Sequence, residues 1–237
     1  ASTSGTSSAY GPRFDGQMFF QYDPVTQSAG KTRTPWVPYK NQIRDFFTTG
    51  DNLTNSLSLD GRYKNTTARF SVTNQNNTWI VPNTGIERTT LTLSTNTDVT
   101  SKLKIATKIN YGNRFSDNLP GAGYGNQSLM YWFMFAQPNV NTDWYRDYWS
   151  PGLVNRQFVN ITTTNPESPY AISEQYLNGQ RRNGWLGSVQ ATYKFTNELS
   201  LLVRSSIDYN KEVRETIRPY DASGNKFAQG SYRVTDV

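Results

Sequence analysis

Leu103-Lys104-Ile105-Ala106-Thr107-Lys108-Ile109-Asn110-Tyr111 alternates at a period of two. In an extended chain Leu103, Ile105, Thr107, Ile109 and Tyr111 share one face, and Lys104, Ala106, Lys108 and Asn110 share the other. A helix would scatter both sets around its axis, so the stretch reads as a β-strand with one apolar and one polar side. The pattern recurs on either side. Val189, Ala191, Tyr193 and Phe195 alternate with Gln190, Thr192 and Lys194. After Thr196-Asn197-Glu198 it resumes through Leu199, Leu201, Val203, Ser205, Ile207 and Tyr209. Upstream, Leu57 and Leu59, then Ala68, Phe70 and Val72, then Leu91 and Leu93 alternate with polar neighbours. Six strands are predicted, at about 53–62, 67–75, 89–97, 103–113, 185–195 and 199–210, and the fold class is all-β.

The links between these strands alternate strictly between short and long. They run short (63–66), medium (76–88), short (98–102), very long (114–184) and short (196–198). In an up-and-down antiparallel sheet successive links leave at opposite ends, so all the short turns fall on one rim and all the long links on the other. Tight turns on one side and long loops on the other are the pattern of an outer-membrane β-barrel. Strands of about 9–11 residues also suit a tilted crossing of the bilayer. A soluble β-sandwich or extracellular glycan-binding module explains the alternation, but not the parity of the links or a loop of this length. Six strands are too few to close a membrane barrel, and an open sheet leaves two unpaired edges. The expectation is therefore a transmembrane antiparallel up-and-down barrel present as a segment of a larger one. Leu57, Leu59, Phe70, Val72, Leu91, Leu93, Ile105, Ile109, Val189, Ala191, Leu201 and Val203 should face lipid. Arg69, Lys104, Lys108, Gln190, Lys194 and Arg204 should face the lumen.

Composition narrows the function. The 237 residues contain no Cys and no His, which excludes disulfide scaffolds, thiolate or imidazole metal sites and histidine-based catalysis. No metal or cofactor is expected. Aromatics make up 14% and charged residues only 18%, the reverse of a disordered chain. The longest apolar run, Leu129–Ala136, is far short of a membrane helix. Ala1–Ser8 reads as polar coil rather than a signal peptide. The net charge of +6 is dispersed, with Arg181-Arg182 the one adjacent basic pair, so nucleic acid is not expected as a partner.

Seven segments in consistent order resemble the SusC/RagA-like TonB-dependent transporters. They are Ala9-Tyr10-Gly11-Pro12-Arg13-Phe14-Asp15-Gly16-Gln17, Asp45–Gly50, Thr54–Leu59, Ile80–Thr84, Gly123–Phe133, Asp147-Tyr148-Trp149 and Asn165–Tyr170. The resemblance implies a Gram-negative outer-membrane barrel of about 22 strands occluded by a plug. It also implies uptake of oligosaccharides or peptides with a SusD-like lipoprotein lid, energised by TonB through the plug region. Against that family the chain has no plug or TonB box before Ala1 and lacks most of the barrel after Val237, so a segment is expected. Residues 1–52 would be the plug-to-barrel junction and first barrel region, and 53–237 the barrel strands with a long extracellular loop at 114–184. Its neighbours would be the remaining strands of the same barrel and outer-membrane lipid. The alternatives from other classes are a soluble extracellular glycan-binding β-module and a surface adhesion protein.

The long loop holds the candidate ligand or lid contacts: Asn126, Gln127, Tyr131, Trp132, Trp144 and Trp149. Met130-Tyr131-Trp132-Phe133-Met134-Phe135 reads either as a stacking and docking surface or as the loop's own small core, and the packing reading is favoured because aromatics bury readily. Asn126 and Gln127 read either as ligand hydrogen-bonders or as turn caps. Asp143, Arg146 and Asp147 beside Trp144 and Trp149 resemble a surface ion-pair network more than a glycosidase carboxylate pair, and no enzymatic activity is expected. Asp221-Ala222-Ser223-Gly224-Asn225 lacks the alternating acidic ligands of a calcium loop and reads as a turn. Tyr111, Tyr193, Phe195 and Tyr209 near strand ends fit interfacial aromatic girdles.

Overall fold

The computed structural model describes residues 11–123, 128–159, 168–221 and 230–236. A hairpin, β1 (Met18–Asp23) and β2 (Ser28–Pro35), and a short helix α1 (Gln42–Phe46) come first. Then follow β3 (Asn52–Tyr63), β4 (Thr66–Thr78), β5 (Gly85–Asp98) and β6 (Leu103–Ser116). The long link carries α2 (Leu129–Phe135), a 3-10 turn at Thr142–Tyr145 and α3 (Pro169–Gln175). The chain closes with β7 (Leu177–Lys194), β8 (Ser200–Arg218) and β9 (Ser231–Asp236).

Strands β3 to β9 form one antiparallel sheet in sequence order, and the β1–β2 hairpin is a separate two-stranded sheet. Because every neighbour is the next strand in the chain, links 64–65, 99–102 and 195–199 lie on one rim and links 79–84, 117–176 and 219–230 on the other. The rims expected from link parity are those observed. The sheet is open, with β3 and β9 at its edges, and the described residues close no barrel.

Among the described residues nine strands form where six were expected, seven of them in the large sheet, and these run further toward the long-link rim. β7 begins at Leu177 rather than near 185, and β8 continues to Arg218 rather than 210. Alternation is weak there because polar and charged residues stand on both faces, yet the backbone ladder continues and side-chain hydrogen bonds cross it. Asn113 Nδ2 donates to Asn183 Oδ1 at 2.7 Å, and Gln180 Nε2 donates to Glu212 Oε1 at 2.7 Å.

Register sorts the side chains into two unlike faces. Leu57, Val72, Leu91, Tyr111, Trp185 and Tyr209 stand directly opposite one another across six strands. Leu59, Phe70, Leu93, Ile109, Gly187 and Ile207 form the next row, and Leu103, Tyr193 and Leu201 lie near the short-turn end. This apolar face is open: Leu59 is 60% and Ile207 67% exposed. The other face carries Asp60, Arg69, Lys104, Lys108, Gln190, Lys194 and Arg204, so every residue expected to point away from the apolar side does so. Two of its charges are paired, Arg69 with Asp60 and Lys104 with Asp98.

None of the buried apolar side chains among the described residues lies on β3–β9. The core sits beyond the long-link rim. There Phe46 of α1, Tyr22 of β1, Trp132 and Phe133 of α2, and Tyr170 and Ile172 of α3 pack together with Tyr145, Tyr148 and Phe158.

Candidate functional site

Local sequence builds the loop layer. Ser168 caps α3: its Oγ accepts from the backbone N–H of Tyr170 at 3.1 Å and donates to the Tyr145 carbonyl at 2.6 Å, while Pro169 takes the first helical position. An amide network fastens this layer to the rim. Asn118 Nδ2 donates to the carbonyls of Asn83 and Ser173, each at 3.0 Å, and Asn83 Nδ2 donates to Ser173 O at 3.1 Å. Asn178 closes the network, its backbone N–H reaching Asn118 Oδ1 at 3.1 Å. Uncharged side chains satisfy backbone carbonyls at a junction where a charge would be costly to enclose.

The candidate contacts divide within this layer. Trp132 is buried, edge-on to Phe133 at 5.2 Å and to Tyr145 at 5.9 Å, so its ring belongs to the loop core. Trp144 is half-buried and packs edge-on against Tyr39 at 5.2 Å. Trp149 is half-buried and stacks on Phe158 at 4.5 Å. Tyr131 is also half-buried, and Met130 and Met134 of α2 are exposed, one helical turn apart. Asn126 and Gln127 lie outside the described residues, as does most of the turn after Asp221. Asp221 itself accepts the backbone N–H of Phe158 through Oδ2 at 2.8 Å.

Asp143 and Arg146 form an exposed ion pair, Nη2 to Oδ1 at 2.8 Å, and the Tyr170 hydroxyl donates to the same carboxylate oxygen at 3.0 Å. The Arg146 hydrogen bond, then that of Tyr170, holds the Asp143 carboxyl below its ordinary value. The guanidinium lies over the Tyr170 ring at 4.6 Å. Tyr148 donates to Glu174 Oε2 at 2.7 Å, and burial followed by that carboxylate pushes its phenol up to about 12. Burial first, then Asp143, pushes Tyr170 up to about 12, and Tyr22 is raised to about 12 by burial and then Asp23. These groups tie the loop together. No group of three or more acidic side chains able to hold a metal ion occurs among the described residues.

The raised phenols set an alkaline limit. Between about pH 10, where an unfolded tyrosine ionises, and about 12, the folded loop keeps protons that the unfolded loop has shed. Stability is therefore lost as pH rises through that window. The depressed Asp143 works in the opposite sense: its contribution is present above about pH 4 and fades on acidification, weakly because the pair is exposed. Near-ultraviolet circular dichroism should collapse on the alkaline arm together with late tyrosinate absorbance, before the strand signal changes. Tyrosines that all titrate near 10 with the loop signal intact would contradict this.

A second candidate region lies on the polar face of the sheet. A cleft of about 580 Å³ is lined by Gln75, Trp79, Arg88, Thr90, Asn110, Arg114, Arg182, Asp208 and Asn210 among others. Of these only Arg182 stood out in the sequence, as half of the basic pair. Arg88 and Arg114 are isolated cations in polar strands, and only strand register brings them beside Arg182. No protein-family model matches the chain, and no curated protein matches it significantly.

Proposed function

We propose that this chain is a segment of an outer-membrane β-barrel, and that the protein is a TonB-dependent importer of oligosaccharides or peptides working with a SusD-like surface lipoprotein. One observation carries the membrane assignment: the sheet is inside-out. Its apolar rows span six strands with nothing over them among the described residues, while its polar face holds the clefts. In water an apolar surface of that extent is strongly disfavoured, and in a bilayer it is matched.

The band has bounded ends. Tyr111, Trp185 and Tyr209 mark one end on adjacent strands, and Tyr63, Tyr193 and Phe195 mark the other. From Trp185 to Phe195 is ten residues, about 33 Å along a strand and about 25 Å at a tilt near 40°, which matches the apolar band of membrane barrels. Beyond the Tyr111–Trp185–Tyr209 row the same face turns polar at Asn55, Asn74, Thr89, Asn113, Asn183 and Lys211. A soluble glycan-binding module with this sheet would need a second layer over the apolar face. The importer class, the lipoprotein lid and the coupling to TonB rest on the family resemblance of the seven segments. In that reading the loop layer faces outward, where Met130, Met134 and Trp149 would meet a lid or substrate.

Single cysteines at 104 to 109, each carrying a nitroxide, test the membrane assignment in the full-length protein in vesicles, and this chain has no native Cys to interfere. Positions 105, 107 and 109 should relax with oxygen, and positions 104, 106 and 108 with a water-soluble nickel chelate. No two-residue period, or the chelate reaching both sets equally, would rule out a lipid-facing strand.

A further inference from the structure

The polar face carries a row of three cations faced by a single carboxylate, Glu212, at one end. Gln75 stands opposite Arg88, Arg88 opposite Arg114, Arg114 opposite Arg182, and Arg182 opposite Glu212. Three guanidinium side chains therefore rise at one level from adjacent strands about 4.8 Å apart. Like charges placed directly opposite destabilise a sheet, and the fold has no need of them there. Three of the other cations on this face have side-chain partners: Arg69 has Asp60, Lys104 has Asp98, and Arg204 Nε donates to Gln190 Oε1 at 3.0 Å. Glu212, at the end of the row, already accepts from Gln180 and from Arg214. Among the described residues Arg88, Arg114 and Arg182 form no salt bridge. Arg182 Nη2 reaches Asn210 Oδ1 at 3.3 Å, and Nε of Arg114 is enclosed with no acceptor.

Space has been left in front of the row. One level toward the short turns, Thr90, Gly112, Gly184 and Asn210 stand opposite one another. Gly112 removes a side chain from the cleft floor, where a Cβ would meet nothing within 4 Å, while the Asn210 side chain lies over Gly184. Glycine inside a strand weakens it and often marks a close approach by a ligand. Trp79 offers an aromatic wall, and Asn110, Asp208 and Asn210 offer hydrogen-bonding groups on the far side.

We infer that Arg88, Arg114 and Arg182, with the Gly112–Gly184 floor, form a binding site for a polar ligand bearing two or more oxyanion groups: carboxylate, sulfate or phosphate. Guanidinium forks match such groups in two-point geometry. Two or more anions spanning neighbouring strands relieve the repulsion that one alone would leave. The uncharged amides and Asp208 accept hydroxyl donors from the rest of the ligand. The inference concerns the polar face alone and does not depend on what covers the other face.

Calorimetric titration of the full-length protein with pyrophosphate, trigalacturonate and the neutral methyl ester of trigalacturonate tests it. Pyrophosphate or trigalacturonate should bind, more weakly as salt rises, and the ester should not. Arg114→Gln should weaken binding about tenfold or more and, by relieving repulsion, raise the Tm without probe. Gly112→Tyr should abolish binding by filling the floor while leaving the Tm equal or higher, because tyrosine suits a strand better than glycine. Failure of both anions to bind would overturn the inference, as would equal binding of the ester or unchanged affinity in both variants. A lowered Tm in Arg114→Gln without probe would overturn it too, since it would reveal a resident carboxylate of the protein already paired with the row.

Discussion

Ile109→Arg, between the interface and the midplane of the band, is expected to destabilise the full-length protein by about 1–2 kcal/mol when it is unfolded from phospholipid vesicles, whereas Lys108→Gln should change stability by less than about 0.5 kcal/mol. The two positions are consecutive on one strand, so secondary-structure propensity and position along the strand nearly cancel in the comparison. What differs is the face. Ile109 lies in the row Leu59–Phe70–Leu93–Ile109–Gly187–Ile207, within the apolar band, and Lys108 opens onto the polar side. A guanidinium at 109 would sit in hydrocarbon with no carboxylate on its face at that level. Removing the charge at 108 leaves a polar side chain in a polar environment. Denaturant titration of both variants reads the difference, and equal losses at the two sites would abolish the lipid-facing assignment.

Trp132→Ala is expected to cost the loop layer about 3–5 kcal/mol, the usual loss when a buried tryptophan is truncated, and to leave the sheet in place. Trp132 is enclosed by Phe133 and Tyr145 in a cluster that shares no buried apolar side chain with β3–β9. The two layers meet through amide hydrogen bonds at Asn83, Asn118 and Asn178, and through the Arg218 guanidinium of β8 over the Tyr176 ring. Limited proteolysis should then cut within residues 128–176 while the strands stay protected. Any binding of lid or ligand through this layer should be lost with it. Strands that become cleavable along with the loop would show that the loop core supports the sheet as well.

The sheet was readable in the sequence where one face of each strand is apolar and the other polar. Leu103–Tyr111 and Leu199–Tyr209 lie within that zone, and their faces are those expected. Residues 177–184 and 211–218 are strands as well, yet they were not legible. Polar and charged residues stand on both faces, with only Leu177, Val213 and Ile217 apolar, so a period of two leaves little mark, and pairing with neighbours holds them extended. The β1–β2 hairpin escaped notice for a related reason. Its strands are short, its pairing is irregular between Phe20 and Tyr22, and it forms its own small sheet. In the loop the sequence marked the aromatic residues but did not separate Trp132, turned into the core, from Met130 and Met134, turned outward.

The amino-acid sequence by itself determined the strand period, the two unlike faces and the rim on which each link leaves. These depend on neighbours one or two residues away and on link length, which a linear chain states directly. Only the tertiary structure decided what lies side by side. Arg88, Arg114 and Arg182 are far apart along the chain, and nothing in it joins them into one group. Strand register makes them one row above paired glycines, because antiparallel pairing carries residues distant in sequence to about 5 Å from one another.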